Sequence, residues 1–227
     1  LAFNYYTNNA IQSLEYAFKA RQIADSIHFT KGEADALRQI GIAFWAQGDM
    51  VTATSYFFTG LSVAETNNHL QVQADIIGNI GTAYNGMNNP NEALNFLLRS
   101  RTLQQQLKNY WREASVLNNL GDAYMALKDY DNAKVSYSTA MDMAFKNNYP
   151  LGVTTNLRNL GNILEAKGQY DSALSNYFKC VDLSSGINDN RGLILSYRSI
   201  SSVYLKTGKL KQAKEFGLKA LEHATRL

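Results

Sequence analysis

The groups with most chemistry to offer in this chain are carboxamides and guanidiniums that return at a fixed interval. Asn79, Asn119 and Asn159 are evenly spaced along the sequence. A carboxamide carries a donor and an acceptor, so a row of them can pair with the backbone of an extended peptide without reading its side chains. Arg38, Arg158 and Arg198 each precede the same position of the period by one residue, and a guanidinium holds carboxylates in a fork. Gln39 and Asn118 fall on these same two positions, and Asp122 and Asn162 lie about one helical turn further on. The plainer alternative is that all ten residues form the solvated polar face that any amphipathic helix needs.

Other chemistries find little support. His28, His69 and His223 have no partner at metal-ligand spacing and read as surface residues, so no metal or other cofactor is expected. Cys180 takes the place of an alanine in a packing position and reads as a small apolar residue. As a nucleophile it would need an activating histidine that the spacing does not supply. The glycines follow the period rather than forming a phosphate loop. The tyrosines mostly fall on core positions, which outweighs a stacking platform for bases. No enzyme is expected.

The elements that must carry these groups are read from Leu117–Ala144. Leu117, Leu120, Gly121 and Tyr124 make one helical face, and Ala133, Tyr137 and Ala140 make another after a polar break at Lys128-Asp129-Tyr130. The pattern predicts an antiparallel helical hairpin, too small to be stable alone. It recurs: Ile40-Gly41, Ile80-Gly81, Leu120-Gly121, Leu160-Gly161 and Ile200-Ser201 keep one constant step, with no slippage. Sixteen positions on come Phe57, Leu97, Tyr137, Tyr177 and Gly217. An alanine follows twelve positions past each register, at Ala53, Ala93, Ala133, Ala173 and Ala213. Helix starts are expected to be capped by Asn91, Asp131 and Asp171. Pro90 and Pro150 fall at boundaries, where a missing N–H does no harm.

These positions resemble the tetratricopeptide repeat, which places an aliphatic-glycine pair, an aromatic, then alanine, aromatic and alanine at such offsets. The resemblance covers nearly the whole chain. It is closest to the longer bacterial repeats of peptide-sensing regulators and two-component sensors, and to animal adaptors such as kinesin light chain. It implies an all-α fold, a right-handed α-α superhelix of about five full hairpins plus a partial first one. The expected units are 1–26 (partial), 31–66, 70–107, 109–146, 150–185 and 190–227, within one solenoid. The period is longer than that of the usual member, and the excess should lengthen the helices or the links. Ser201 and Gly217 depart from the pattern and suggest a looser last unit. Phe3, Tyr5 and Tyr6 would cover the open end of the first.

A net charge of +3 and a pI near 8.8 are too small and dispersed for nucleic acid, which needs a clustered basic face. No apolar run approaches the roughly 20 residues that span a bilayer. One cysteine excludes an internal disulfide and leaves the compartment, cytoplasmic or periplasmic, undecided. The chain begins at Leu1 in mid-pattern, and its last helix lacks a stop signal, as expected of a piece of a longer protein.

In the superhelix that the resemblance implies, first helices line a concave groove. Residues six and three before the glycine register and one after it would face that groove, with the asparagine ladder at its edge. Chaperone-binding members grip a C-terminal carboxylate with lysines, asparagines and an arginine at these positions. Arg158 and Asn162, then Arg198 and Ser202, do not make that clamp. The expectation is a scaffold for a protein or extended peptide, in the sensory or interaction region of a bacterial signalling protein. The alternative is a structural module that self-associates through its open ends, with no groove ligand.

Overall fold

The computed structural model describes residues 2–225, with side chains from residue 12 onward. The expected cover of Phe3, Tyr5 and Tyr6 and the last two residues lie outside the described set. Among the described residues the chain is helical, without strands. Its elements are α1 (Ala2–Ser26), α2 (Thr30–Ala46), α3 (Met50–Thr66), α4 (Leu70–Gly86), α5 (Pro90–Gln106) and α6 (Tyr110–Ala126). They continue with α7 (Tyr130–Lys146), α8 (Pro150–Ala166), α9 (Tyr170–Gly186), α10 (Asn190–Lys206) and α11 (Leu210–Ala224). Helices α2 to α10 have 17 residues each. From α2 onward the helices therefore start at equal intervals. The residues beyond the usual repeat length have gone into helices, not links.

One corner serves throughout. A residue at positive φ recurs in step with the helices, from His28 and Gly48 through Asn68, Asn88 and Lys108 to Gly208. The next residue donates its N–H five positions back, as in Asn89 N to Tyr84 O at 2.9 Å and Gln169 N to Leu164 O at 2.8 Å. This closes the C-terminus of one helix in a Schellman-type turn. The same residue opens the next helix: Asn89 O accepts from Ala93 N at 3.1 Å, and Asp129 Oδ1 accepts from Asn132 N at 3.2 Å. The expected caps are therefore corrected by two positions. Asn89, Asp129 and Gln169 hold the cap positions, while Asn91, Asp131 and Asp171 lie in the first turn. The carboxylates of Asp131 and Asp171 still meet the positive end of the helix dipole there. Pro90 and Pro150 are the first helical residues, as expected.

The chain divides into two compact units, Leu1–Leu127 with α1–α6 and Lys128–Leu227 with α7–α11. The expected hairpin 109–146 is thus divided between them. In unit 1 the core gathers Phe57, Leu61, Val72, Ile76, Ile77 and Ile80 around small residues such as Ala34, Ala53 and Ala83. Each large side chain so buried contributes about 1.5–3 kcal/mol. Gly81 allows the close approach: a methyl there would stand 2.6 Å from Leu97 Cγ. In unit 2 the core joins Ala173, Tyr177, Ile200 and Val203. The deviant pair of the last unit compensates itself, because Ser201 replaces the glycine where Gly217 replaces the bulky partner. Ser201 Oγ donates to Ala213 O at 2.7 Å, and Ile200 and Val203 stay fully buried. That unit is packed rather than loose.

Candidate functional site

In unit 1 a cavity of about 140 Å³ lies against α4, α5 and α6. Asp75, Gly78 and Thr82 of α4 and Ser115 of α6 line it, all on the face expected to meet a ligand. Asn79 and Asn119 join them at its edge. Asp75 is buried and ion-pairs with Arg112 at 2.8 Å. Gln104 Nε2 donates to Asp75 Oδ1 at 2.9 Å and Gln71 Nε2 to the same oxygen at 3.1 Å. Burial pushes the Asp75 carboxyl above its ordinary value, against the pull of Arg112 and Gln104. Asn119 Nδ2 donates to Thr82 Oγ1 at 2.9 Å, and Asn85 Nδ2 donates to Asn119 O at 2.9 Å. Asn119 thus ties α6 to α4. Asn79 Nδ2 is buried without a partner.

In unit 2 a cavity of about 310 Å³ is lined by Thr155 and Arg158 of α8, Ser184 of α9, and Arg191, Gly192 and Leu195 of α10. Thr155, Arg158 and Leu195 again come from the expected face. Asp189, also at the cavity, caps α10 by accepting from Gly192 N at 2.9 Å. Ser184 is fully buried and its hydroxyl has no partner. Cys180 is buried beneath, donating to Thr154 O at 3.4 Å. Burial pushes its thiol up to about 12, although the Arg158 charge draws it down. A thiol so placed is protonated at neutral pH and is no nucleophile.

The remaining expected residues are scattered. Arg38 lies against Asp35 of its own helix, with Nη2 3.1 Å from the carboxylate. Gln39 and Arg198 are exposed, as is Asp122, while Asn118 is partly covered. Asn159 is buried. The Tyr177 hydroxyl lies 2.8 Å from Asn162 Oδ1 and 2.7 Å from Glu165 Oε2, and its single proton is shared between these acceptors. Glu165 also accepts from Ser202 and Lys206. Burial, then Glu165, raises the Tyr177 pKa.

Sequence reasoning did not anticipate Gln104, Arg112, Ser184 and Arg191. For two of them a signal existed. Ala24, Ala64, Ala144 and Ala224 share one position of the period, and Gln104 and Ser184 are the polar residues that interrupt this series. Each interruption sits beside a cavity.

Comparison with known proteins agrees with this architecture. Residues 114–147 and 151–226 match models of the tetratricopeptide repeat, so such repeats are present in the chain. No curated protein sequence matches it. Among solved structures, BtubC (BKLC) from P. vanneervenii is 16% identical, with a TM-score of 0.75 over 100% of this chain and 92% of that one. Aspartyl phosphate phosphatase F from Bacillus subtilis is 16% identical, with a TM-score of 0.75 over 90% of this chain and 54% of that one. A Rap protein complexed with Competence and Sporulation Factor is 13% identical, with a TM-score of 0.76 over 99% of this chain and 73% of that one. The shared property is the all-α repeat fold.

Proposed function

We propose that the chain is a binding scaffold for an extended peptide or a protein segment, held on the faces of α4 and α6 in unit 1 and of α8 and α10 in unit 2. The observation that carries this reading is the coincidence of face and cavity: periodic polar positions of the first helices line a hollow in each unit. Asn79 Nδ2 supplies a buried donor that a peptide carbonyl would satisfy, and an unpaired buried donor costs about 1–3 kcal/mol while it waits. The solved Rap protein with its bound factor is a precedent for a ligand on this fold. A sensory role in a bacterial signalling protein follows as the setting in which such a scaffold would report its ligand. The reading is of a scaffold, in keeping with a repeat fold that generally carries binding surfaces.

Peptide arrays probed with the intact chain test this. Asn79→Ala should weaken bound peptides about fivefold, the worth of one hydrogen bond. Peptides that bind with unchanged affinity to Asn79→Ala and Arg158→Ala would remove both faces from the reading.

A second reading has its own observation. Leu210, Leu218 and Leu221 of α11 are all more than half exposed. A second copy of the chain could cover them. Light scattering over a concentration series separates the two: a chain that stays monomeric while binding peptide excludes assembly as its role.

A further inference from the structure

We infer that the cavity of unit 2 is a carboxylate-binding site, with Arg158 and Arg191 as its cationic groups and the Ser184 hydroxyl as a neutral donor. This gives the ligand proposed above an acidic group, and rests on that reading only for the source of the carboxylate.

Charge balance comes first. Two arginines, the half-buried Arg158 and the exposed Arg191, and one acidic residue, Asp189, line the cavity. Among the described residues, the ion pairs of unit 2 are Lys167–Asp131, Lys206–Glu165 and Lys219–Glu215, and none of them takes up Arg158 or Arg191. Asp189 is committed to the start of α10, where it accepts from Gly192 N. The cavity therefore holds one uncompensated positive charge. A carboxylate matches it. A phosphate dianion would exceed it and would face Asp189, so the singly charged group is favoured.

The second observation is Ser184. Its side chain is fully buried, and its hydroxyl finds no protein partner. Alanine occupies the equivalent place at Ala24, Ala64, Ala144 and Ala224, so packing does not require a hydroxyl here. A buried hydroxyl that packing does not need and the protein does not satisfy is a donor for something else. Space is kept for it by Gly192, where any methyl would run into Ser184 Oγ and the Asp189 carboxylate. Arg158 already acts on its surroundings as a cation, favouring the ionised forms of both Cys180 and Tyr177. Leu151 and Leu195 give the cavity apolar walls that suit the methylenes next to a carboxylate.

The carboxylate can come from an acidic side chain of a bound peptide or from a free small acid. Titration calorimetry with the whole chain at low salt distinguishes them. The probes are succinate, inorganic phosphate, and a short acetylated, amidated peptide with a central glutamate between leucines, beside its glutamine counterpart. The glutamate peptide or succinate should bind, and glutamine for glutamate should cost about tenfold, the worth of a charge-assisted hydrogen bond. Arg158→Gln and Arg191→Gln should each weaken the acidic probe about tenfold, and Ser184→Ala about threefold, with helical circular dichroism unchanged. Succinate binding that requires both arginines, with neither peptide bound, leaves the site standing and refutes the peptide reading. Peptides bound equally well with glutamate and glutamine, or unaffected by both arginine changes, refute the site and leave the peptide reading. Phosphate bound more tightly than succinate refutes the assignment to a carboxylate.

Discussion

The two cavities are built on the same repeat and end in opposite states. In unit 1 the position that is alanine elsewhere carries Gln104, which fills its space and donates to Asp75. Asp75 in turn neutralises Arg112, and the hollow that remains measures about 140 Å³. In unit 2 the equivalent position carries Ser184, which is too short to reach a partner. The hollow is about 310 Å³ and its guanidiniums are not among the ion pairs described in the unit. Different side chains at equivalent positions, Asp75, Gln104 and Arg112 against Thr155, Ser184 and Gly192, thus go with a closed polar network in one unit and an open, charged site in the other. A repeat fold can vary its chemistry in this way without changing its helices.

The largest test of this contrast is truncation at the position of Gln104 and Ser184. Gln104→Ala removes a buried side chain with hydrogen bonds to Asp75 and Gln71. It should destabilise the chain by about 2–3 kcal/mol, from the cavity and from the acceptor left short of a donor. Ser184→Ala should do the reverse, raising stability by about 1 kcal/mol, because it deletes an unsatisfied buried hydroxyl and restores the alanine. Urea unfolding of both variants reads the difference. Opposite signs are the expectation, and two losses of similar size would mean that Ser184 is satisfied in solution.

This contrast also marks how far the sequence could be read. The hairpins were legible because Gly81, Leu97 and Ala93 recur in phase, and close packing tolerates little else at those places. The first-helix positions that line the two cavities follow from the same period, since rotation about a helix is fixed once its buried face is known. What escaped was the interior. Asn119 and Asn162 look like free surface amides in sequence, yet their partners are Thr82 and Tyr177, distant in the chain. Such pairings depend on how neighbouring helices meet. Arg112 and Arg191 sit in the first turns of α6 and α10, off the stripe that the period defines, and reach the cavities through long side chains.

A smaller effect separates the units by their response to acid. Burial raises the Asp75 carboxyl. The folded state then holds its proton more tightly than the unfolded one, so this group's contribution to stability is best in acid and falls as pH rises from 3.8 through the raised value. Glu165 in unit 2 behaves in the opposite sense. Burial raises it too, but hydrogen bonds from Lys206, Tyr177 and Ser202 outweigh burial and leave it lowered. Its contribution is present above 4.5 and is lost as pH falls through the lowered value. Urea midpoints followed from acid to neutral pH should show it. Compared with the parent chain, Asp75→Asn should lose a decline with pH and Glu165→Gln should lose a rise. Parallel curves for the two variants would contradict the assignment.

The smallest effect concerns the corners, where the units do not differ in kind. Each mixes glycine with other residues in the left-handed region, Gly48 with Lys108 in unit 1 and Gly168 and Gly208 with Asn148 and Asn188 in unit 2, and Lys108, which closes α5, has a φ of 52°. A side chain there crowds the following carbonyl, at a cost of about 1 kcal/mol. Lys108→Gly relieves that crowding but also loosens the unfolded chain, which offsets part of the gain. The net expectation is a stabilisation of about 0.5 kcal/mol, seen as a higher urea midpoint with unchanged cooperativity. Because Lys108 N donates to Gln105 O at 3.0 Å and Asn109 N to Gln104 O at 3.0 Å, and glycine keeps both bonds, a loss of stability would mean that the lysine side chain itself holds this corner.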